Sequence, residues 1–281
     1  MPGILYVVAT PIGNLEDVTL RALRVLREVE VIAAEDTRRT ARLLQHYSIS
    51  TPTTSLHEHN ERQKARTLIA RLQAGDSIAL VSDAGTPGVS DPGAHFVAAA
   101  HASGIRVEPV PGPVAAVAAL SASGFQNAEA LFVGFPPNRS SDRKRWLARL
   151  EGEQRILLLY EAPHRIAATL QDMLHVWGDR RVAVARELTK AHEELAVRPI
   201  SEHLRALGTP RGEFTLVVEP SPQSTEPSSR PSELDLVAEF GELTNFGLGS
   251  RREVLKLLSA KYGISSRELY AIIERRKNST E

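Results

Sequence analysis

Residues 80–93 read LVSDAGTPGVSDPG, and the choice of fold turns on how this stretch is read. Ile78, Ala79, Leu80 and Val81 form a short apolar run bounded by turn residues. Such runs are what parallel strands buried on both faces look like. Asp83 stands at the end of the run, and a loop rich in Gly and Pro follows. In open α/β sheets, ligands bind beyond the carboxyl ends of the strands. Gly85 and Gly88 carry no Cβ, so the backbone there can approach a ligand closely. Pro87 and Pro92 stiffen the loop, and Pro92 also suits the first turn of a following helix. Two readings stand side by side: a small-molecule site with Asp83 at its mouth, and a plain strand-to-helix turn with a capping Asp.

Outward from this stretch, the same grammar repeats. Towards the N-terminus, residues 4–9 are apolar and Thr10-Pro11-Ile12-Gly13-Asn14 breaks the run as a loop. Leu20, Leu23 and Leu26 follow at helical spacing, with Asp17 or Thr19 as the cap. Residues 29–34 then form a second buried strand ending in Glu35-Asp36-Thr37, which implies a parallel pair with a right-handed crossover. A helix opening on Arg38, Arg39 and Arg42, a weak strand before Ser55, and a helix over 61–74 lead back to the central stretch. Towards the C-terminus come an alanine-rich helix (94–103), a strand (107–110) ended by Pro111-Gly112-Pro113, and a small-residue helix (114–123) closed by Gly124.

A second α/β unit follows, with strands over 131–135, 155–160, 182–185 and 213–219 and helices over 140–150 and 166–176. The last strand, EFTLVVE, alternates. Residues 221–232 are rich in Pro and Ser and read as a linker. Beyond it the stripes at Val254, Leu257, Leu258 and at Leu269, Ile272, Ile273 have helix–turn–helix spacing. From residue 249 to 277 there are eight Lys and Arg against three Glu. The expected organisation is therefore an N-terminal α/β domain over 1–120, a second α/β domain over 121–220, the linker, and a basic all-helical module over 233–281.

Composition bounds the function. At 281 residues the chain is long enough for two domains. Its formal net charge is zero, so any nucleic-acid footprint must come from local segregation of charge. With no cysteine there are no disulfides, thiolate ligands or cysteine nucleophiles, which fits a reducing compartment. The opening MPGILYVVATPIGN reads as a strand rather than a signal peptide, and no segment approaches a membrane span.

Motifs narrow it further. The glycines do not form G-x-G-x-x-G after the first strand, and there is no G-x-x-x-x-G-K-[ST], which argues against dinucleotide enzymes and NTPases. No serine stands in a G-x-S-x-G elbow. His57 and His59 lack a third metal ligand at a recognisable spacing, so no metal is expected. Four strand ends carry polar groups: Thr10 and Asn14, Glu35 and Asp36, Asp83, and Glu161 with Arg165. Their coincidence at one sheet edge points to a shared ligand cleft; the alternative is that the carboxylates only cap helices. Residues 139–149 hold five Lys and Arg against one acid, a solvated face or a phosphate-backbone footprint.

These residues also carry a resemblance. VVATPIGNLEDVTLRAL, AAEDTRRT, VSDAGTPGVSDPG, PVPGPVAAVAALSASG, FVGFPP, LYEAPHR and ARELTKAHEE, taken in order along nearly the whole chain, resemble the 16S ribosomal RNA 2′-O-ribose methyltransferases of the tetrapyrrole (corrin/porphyrin) methylase superfamily. The resemblance implies two α/β domains with a cleft between them, S-adenosylmethionine (SAM) bound in that cleft, a cytoplasmic homodimer, and as substrate a cytidine in the decoding region of the small ribosomal subunit. Carried over by motif, the SAM contacts are Pro11, Gly13, Asp83, Gly85, Thr86, Ser121, Ala122, Tyr160 and Glu161.

A ribose hydroxyl is a weak nucleophile, so a general base is expected, with Glu187, Lys190 and His164 as candidates. The basic elements then become RNA contacts: Arg139, Arg143, Lys144 and Arg145 in one helix, and Arg251, Arg252 and Lys256 in the C-terminal module. The alternatives are methylation of a tetrapyrrole or other small molecule, and a non-catalytic RNA-binding protein of ribosome assembly.

Overall fold

Four of the five strands of the first sheet are predominantly apolar, and helices cover both faces. A computed structural model of the chain describes residues 2–126, 129–221, 233–245, 251–262 and 264–277. Strands β1 (Ile4–Val8), β2 (Val31–Ala34), β3 (Thr53–Ser55), β4 (Ile78–Val81) and β5 (Arg106–Val110) lie in the order β3-β2-β4-β1-β5, all parallel. β2 and β4 are buried at every position. Alternate side chains explain this, because successive residues point to opposite faces. Ile32, Ala34, Ala79 and Val81 pack against Ala22, Leu26, Leu43 and Leu44 of α1 (Leu20–Glu28) and α2 (Thr37–His46). Val31, Ala33, Ile78 and Leu80 pack against Leu68, Leu72, Phe96 and Ala100 of α3 (Glu61–Ala74) and α4 (Ala94–Ala102).

Two local expectations resolve here. Thr19 caps α1, its hydroxyl accepting from the Ala22 N–H at 3.0 Å. β1 and β2 are parallel but not neighbours, because β4 lies between them. A crossover fixes handedness, not adjacency, and β4 is the strand apolar enough for the central slot.

The second sheet is mixed. Strands β6 (Ala130–Gly134), β7 (Ile156–Glu161), β8 (Arg181–Arg186), β9 (Glu194–Pro199) and β10 (Phe214–Val218) lie in the order β6-β7-β10-β8-β9. Only β6 and β7 are parallel; the other pairs run antiparallel. β10 sits centrally and is buried at all five positions despite its alternating sequence. Helix α5 (Ala115–Ser123) covers one face, where Ala116 and Ala119 sit against Ile156, Leu158, Ala183 and Val217. The small side chains bring that helix close to the strands. Helices α6 (Ser140–Ala148), α7 (Ile166–Trp177) and α8 (Ile200–Ala206) cover the other face through Leu147, Leu170, Met173 and Ile200. β9 and α8 are not foreseen from the sequence; ELAVRPI lacks the apolar run that marks the other strands.

The chain divides into two compact units, Met1–Ser221 and Pro222–Glu281. Both sheets belong to the first. The second contains α9 (Glu233–Asn245), α10 (Arg251–Tyr262) and α11 (Ser266–Lys277), packed through Leu236, Phe240, Val254, Leu258, Leu269 and Ile273. All but the first residue of the expected linker lies outside the described residues, as does Gly263 of the turn between α10 and α11. No helix of the described residues is long and apolar enough to cross a membrane.

Candidate functional site

The loops after β1, β2 and β4 meet because those strands are parallel and close together. Thr10 and Gly85 exchange backbone hydrogen bonds, Thr10 N–H to Gly85 O at 2.8 Å and Gly85 N–H to Thr10 O at 3.0 Å. The turn needs Gly85 at φ +77°, a conformation other residues rarely adopt. Thr86 Oγ1 donates to Pro113 O at 3.2 Å, tying the central loop to the start of α5. Three of the four polar strand ends thus lie at one edge.

Beyond that edge, between the loops of the first sheet and the strand ends of the second, is a cavity of about 400 Å³, within the range of small-molecule sites. Ile12, Val89, Val114, Phe135, Leu188 and Phe214 give it an apolar wall. Ala84, Gly85 and Thr86 of the central loop also line it. Its charged lining is four carboxylates, Asp91, Glu161, Glu187 and Glu213, against one cation, Lys190. Tyr160 is wedged between Phe132 and Phe135, with ring centroids at 5.1 and 5.6 Å. Its hydroxyl oxygen accepts from the Ala116 N–H at 3.2 Å, and burial raises its pKa.

The turn after β8 closes the cavity from the second sheet. Glu187 and Thr189 both have positive φ, +50° and +67°. Glu187 Oε1 accepts from Lys190 Nζ at 2.8 Å and from the Glu213 N–H at 3.2 Å. The bond to Lys190 is the main reason its pKa is lowered. The Asn14 N–H donates to Thr189 Oγ1 at 3.0 Å, so the first loop docks directly on this turn. Gly13 makes the docking possible: a Cβ there would stand 2.5 Å from Lys190 Cγ and 2.8 Å from Thr189 Oγ1.

Gly85, Thr86, Tyr160, Glu161, Glu187 and Lys190, all expected at the site, line the cavity. Asp83 does not. Its Oδ1 accepts from the Asp36 N–H at 3.0 Å, its Oδ2 lies 3.2 Å from Arg39 Nη1, and its own N–H donates to Glu35 Oε2 at 3.2 Å. It locks the β2 and β4 loops together behind the cavity. Asp36 is a helix cap, accepting from the Arg38 N–H at 2.8 Å. Burial raises the pKa of Glu35, opposed by the hydrogen bond it accepts from the Asp83 N–H. Pro11 and Gly13 flank the lining residue Ile12 without lining the cavity themselves. Ser121 and Ala122 are exposed at the far end of α5, where Ser121 Oγ donates to Ala118 O at 2.8 Å; His164 is exposed beside the cavity lip.

Glu161 lines the wall yet is 1% exposed, and its oxygens are used internally, by the Ala162 N–H at 2.8 Å, by Thr169 Oγ1 at 2.5 Å and by Arg165 at 3.1 Å. The residue that sequence reasoning missed is Asp91. It lines the cavity, and burial, with Glu35 adding to it, pushes its pKa up to about 7. The signal available was its place in the same Gly/Pro loop as Asp83, a few residues further on.

Arg143 corrects an expectation. It is 3% exposed, with Nε 2.8 Å and Nη2 2.7 Å from Asp172 Oδ2 and Nη1 donating to Pro137 O and Asn138 O. Its guanidinium is used inside the fold and does not face RNA. Arg139 and Arg145 are exposed and Lys144 is half-exposed, 3.6 Å from Asp172. Arg251, Arg252 and Lys256 are exposed on α10. Among the described residues no cluster of His, Asp or Glu is arranged to hold a metal.

A parallel sheet, a mixed sheet and a cleft between their loops define a tetrapyrrole methylase, and the family of Tetrapyrrole (Corrin/Porphyrin) Methylases matches residues 4–203. The chain is similar over its length to the "Ribosomal RNA small subunit methyltransferase I" of Synechocystis sp., 45% identical over 280 residues covering 96% of this chain and 97% of that protein. The protein of that name from Pseudomonas aeruginosa is 53% identical over 201 residues, 71% of each chain. In fold it resembles uroporphyrin-III C-methyltransferase from Thermus thermophilus complexed with S-adenosyl homocysteine, with a TM-score of 0.54, 18% identity, and 77% and 97% of the two chains covered. The chain belongs to the ribosomal RNA small subunit methyltransferase I family of the tetrapyrrole methylases.

Proposed function

We propose that this chain transfers a methyl group from SAM to the 2′-oxygen of a cytidine ribose in the decoding region of 16S ribosomal RNA. The broader activity, SAM-dependent methylation of small-subunit ribosomal RNA, follows from the family to which the chain belongs. The 2′-oxygen, the cytidine, the cytoplasmic homodimer and its assignment to that one region of the RNA are the proposal.

The observation that carries the reading is the cavity. Its volume suits a nucleoside-sized ligand, its central loop offers backbone at Ala84–Thr86 without a Cβ at Gly85, and its charged lining is predominantly acidic. SAM is a cation at sulfur and at its ammonium group, so an acid-lined, partly apolar pocket fits it. When bound, SAM supplies a methyl group already activated by the sulfonium. The chain's part is to hold the acceptor oxygen in line with it, which is catalysis by orientation. Gly85, Thr86, Ala115 and Tyr160, which line the cavity, are the donor contacts of this reading. Phe135, half exposed at the wall, offers a face on which a nucleobase stacks. Arg139 and Arg145, and in the helical module Arg251, Arg252 and Lys256, suit the RNA backbone.

The test is methyl transfer from labelled SAM to purified small subunits lacking the modification, with the product nucleotide mapped by mass spectrometry. A single 2′-O-methylcytidine in the decoding region is the expected product. A methylated base, or transfer to a tetrapyrrole instead, overturns the proposal.

A further inference from the structure

Of the four carboxylates in the cavity lining, three have other work. Glu161 is held by Thr169, Ala162 and Arg165. Glu187 is bonded to Lys190 and to the Glu213 N–H, and Glu213 shares the same lysine at 3.5 Å. Asp91 has no cationic partner among the described residues. The charged groups that act on it most are acidic, Glu35 and Asp83 from the loops after β2 and β4 and Glu213 before β10, with Tyr160 at the end of β7 also near it. Lys190, the cation of the same lining, is paired with Glu187 and Glu213. Ser82 acts in the opposite sense by hydrogen bonding.

The backbone around Asp91 is forced. Ser90, immediately before it, has φ +65°, and Gly93, two residues after it, has φ +121°. A Cβ on Gly93 would stand 2.8 Å from Leu80 Cδ2. A non-glycine residue in the left-handed region is strained, and such strain collects where a side chain must be aimed.

We infer that Asp91 is the general base that accepts the proton of the acceptor ribose 2′-hydroxyl, an assignment that rests on the ribose-methylation reading above. The 2′-oxygen forms its bond to the methyl carbon while its proton passes to the Asp91 carboxylate. The electron pair of the carbon–sulfur bond stays on sulfur. The sulfonium and the carboxylate, one positive and one negative, become a neutral thioether and a neutral carboxylic acid, so charge and atoms balance. A carboxyl group that titrates near neutral pH is suited to take up a proton and release it again at working pH. Glu187 is not, because Lys190 holds it ionised.

Two measurements test this. The first is single-turnover methyl transfer to small subunits as a function of pH, with SAM affinity by calorimetry, for the wild type, Asp91→Asn and Glu187→Gln. Asp91→Asn is expected to lose about 100-fold or more in rate while its SAM affinity, which loses one of four lining carboxylates, falls by far less, about tenfold at most, and Glu187→Gln, whatever its rate, is expected to keep the pH dependence. The second is a carbon-13 NMR titration of the Asp91 carboxyl in the free protein, expected to show a midpoint near 7. An Asp91→Asn enzyme with near wild-type rate, a SAM affinity that falls as far as the rate does, or an Asp91 midpoint near 3.8 overturns the assignment. If the wild type itself transfers no methyl to ribose, the functional reading fails instead, and the NMR titration still reports on Asp91 alone.

Discussion

At the residue scale, Gly13 and Asp91 show what a motif hides. Gly13 stands in a loop that by resemblance touches SAM, and its missing Cβ is needed for the close approach to Lys190 and Thr189 instead. Nothing in the sequence near position 13 reveals a partner some 175 residues away. Gly13→Ala is therefore expected to push the first loop off the turn after β8. It should destabilise the protein by about 1–3 kcal/mol, as overpacking does, and weaken SAM binding in the same variant; thermal melts and calorimetric titration measure both. Asp91 carries a stability consequence of its own. A carboxyl whose folded pKa is about 7 against an ordinary 3.8 favours the folded state below the lower value, and that contribution is lost as pH rises through the upper one. Asp91→Asn should then raise the stability at pH 8 relative to wild type by about 1–2 kcal/mol, after discounting for partial exposure, and raise it little at pH 4. A melting temperature difference that is the same at both pH values would contradict this.

At the element scale, α6 and β10 are legible in kind, while the buried side of α6 and the central place of β10 are not. The run of cations in α6 looks like a solvated face. Yet Arg143 and Leu147 are four residues apart and share a side of the helix, and that side is the buried one. The sequence signal was present: a cation on an apolar stripe needs a buried partner, which Asp172 of α7 supplies. Removing one member of a buried pair leaves the other charge uncompensated, so Arg143→Ala should cost about 3–5 kcal/mol. Arg145→Ala, exposed beside Asp142, should change stability by no more than about 0.5 kcal/mol. Denaturant unfolding of the two variants gives the comparison. In β10 the alternating EFTLVVE marks a strand, and a central position beneath helices on both sides buries all five residues of Phe214–Val218. Strand order is a long-range property, and no window of seven residues contains it.

At the scale of the whole molecule, the parallel half was readable because each strand ends in a Gly/Pro or polar loop followed by a helix. In the mixed half β6, β7, β8 and β10 were readable as strands, but β9 and the antiparallel order that joins it to β8 and β10 to both β7 and β8 were not, because ELAVRP lacks an apolar run and pairing between distant strands leaves no local mark. The helical module was readable too, and it carries the last prediction. Its exposed cations lie on α10, while the sheets and cavity belong to the other compact unit, so changing them should leave the cavity's chemistry alone. Replacing Arg251, Arg252 and Lys256 by alanine should leave SAM affinity unchanged and weaken binding to small-subunit RNA. Each phosphate left without its cation lowers the slope of log affinity against log salt by roughly 0.7–0.9, so the slope for the triple variant should be shallower by up to about 2–3. Fluorescence titrations of full-length protein at several salt concentrations measure it. A slope that does not move would take the module out of RNA binding and make packing between copies of the chain the next role to test, by comparing the oligomeric state of the two proteins.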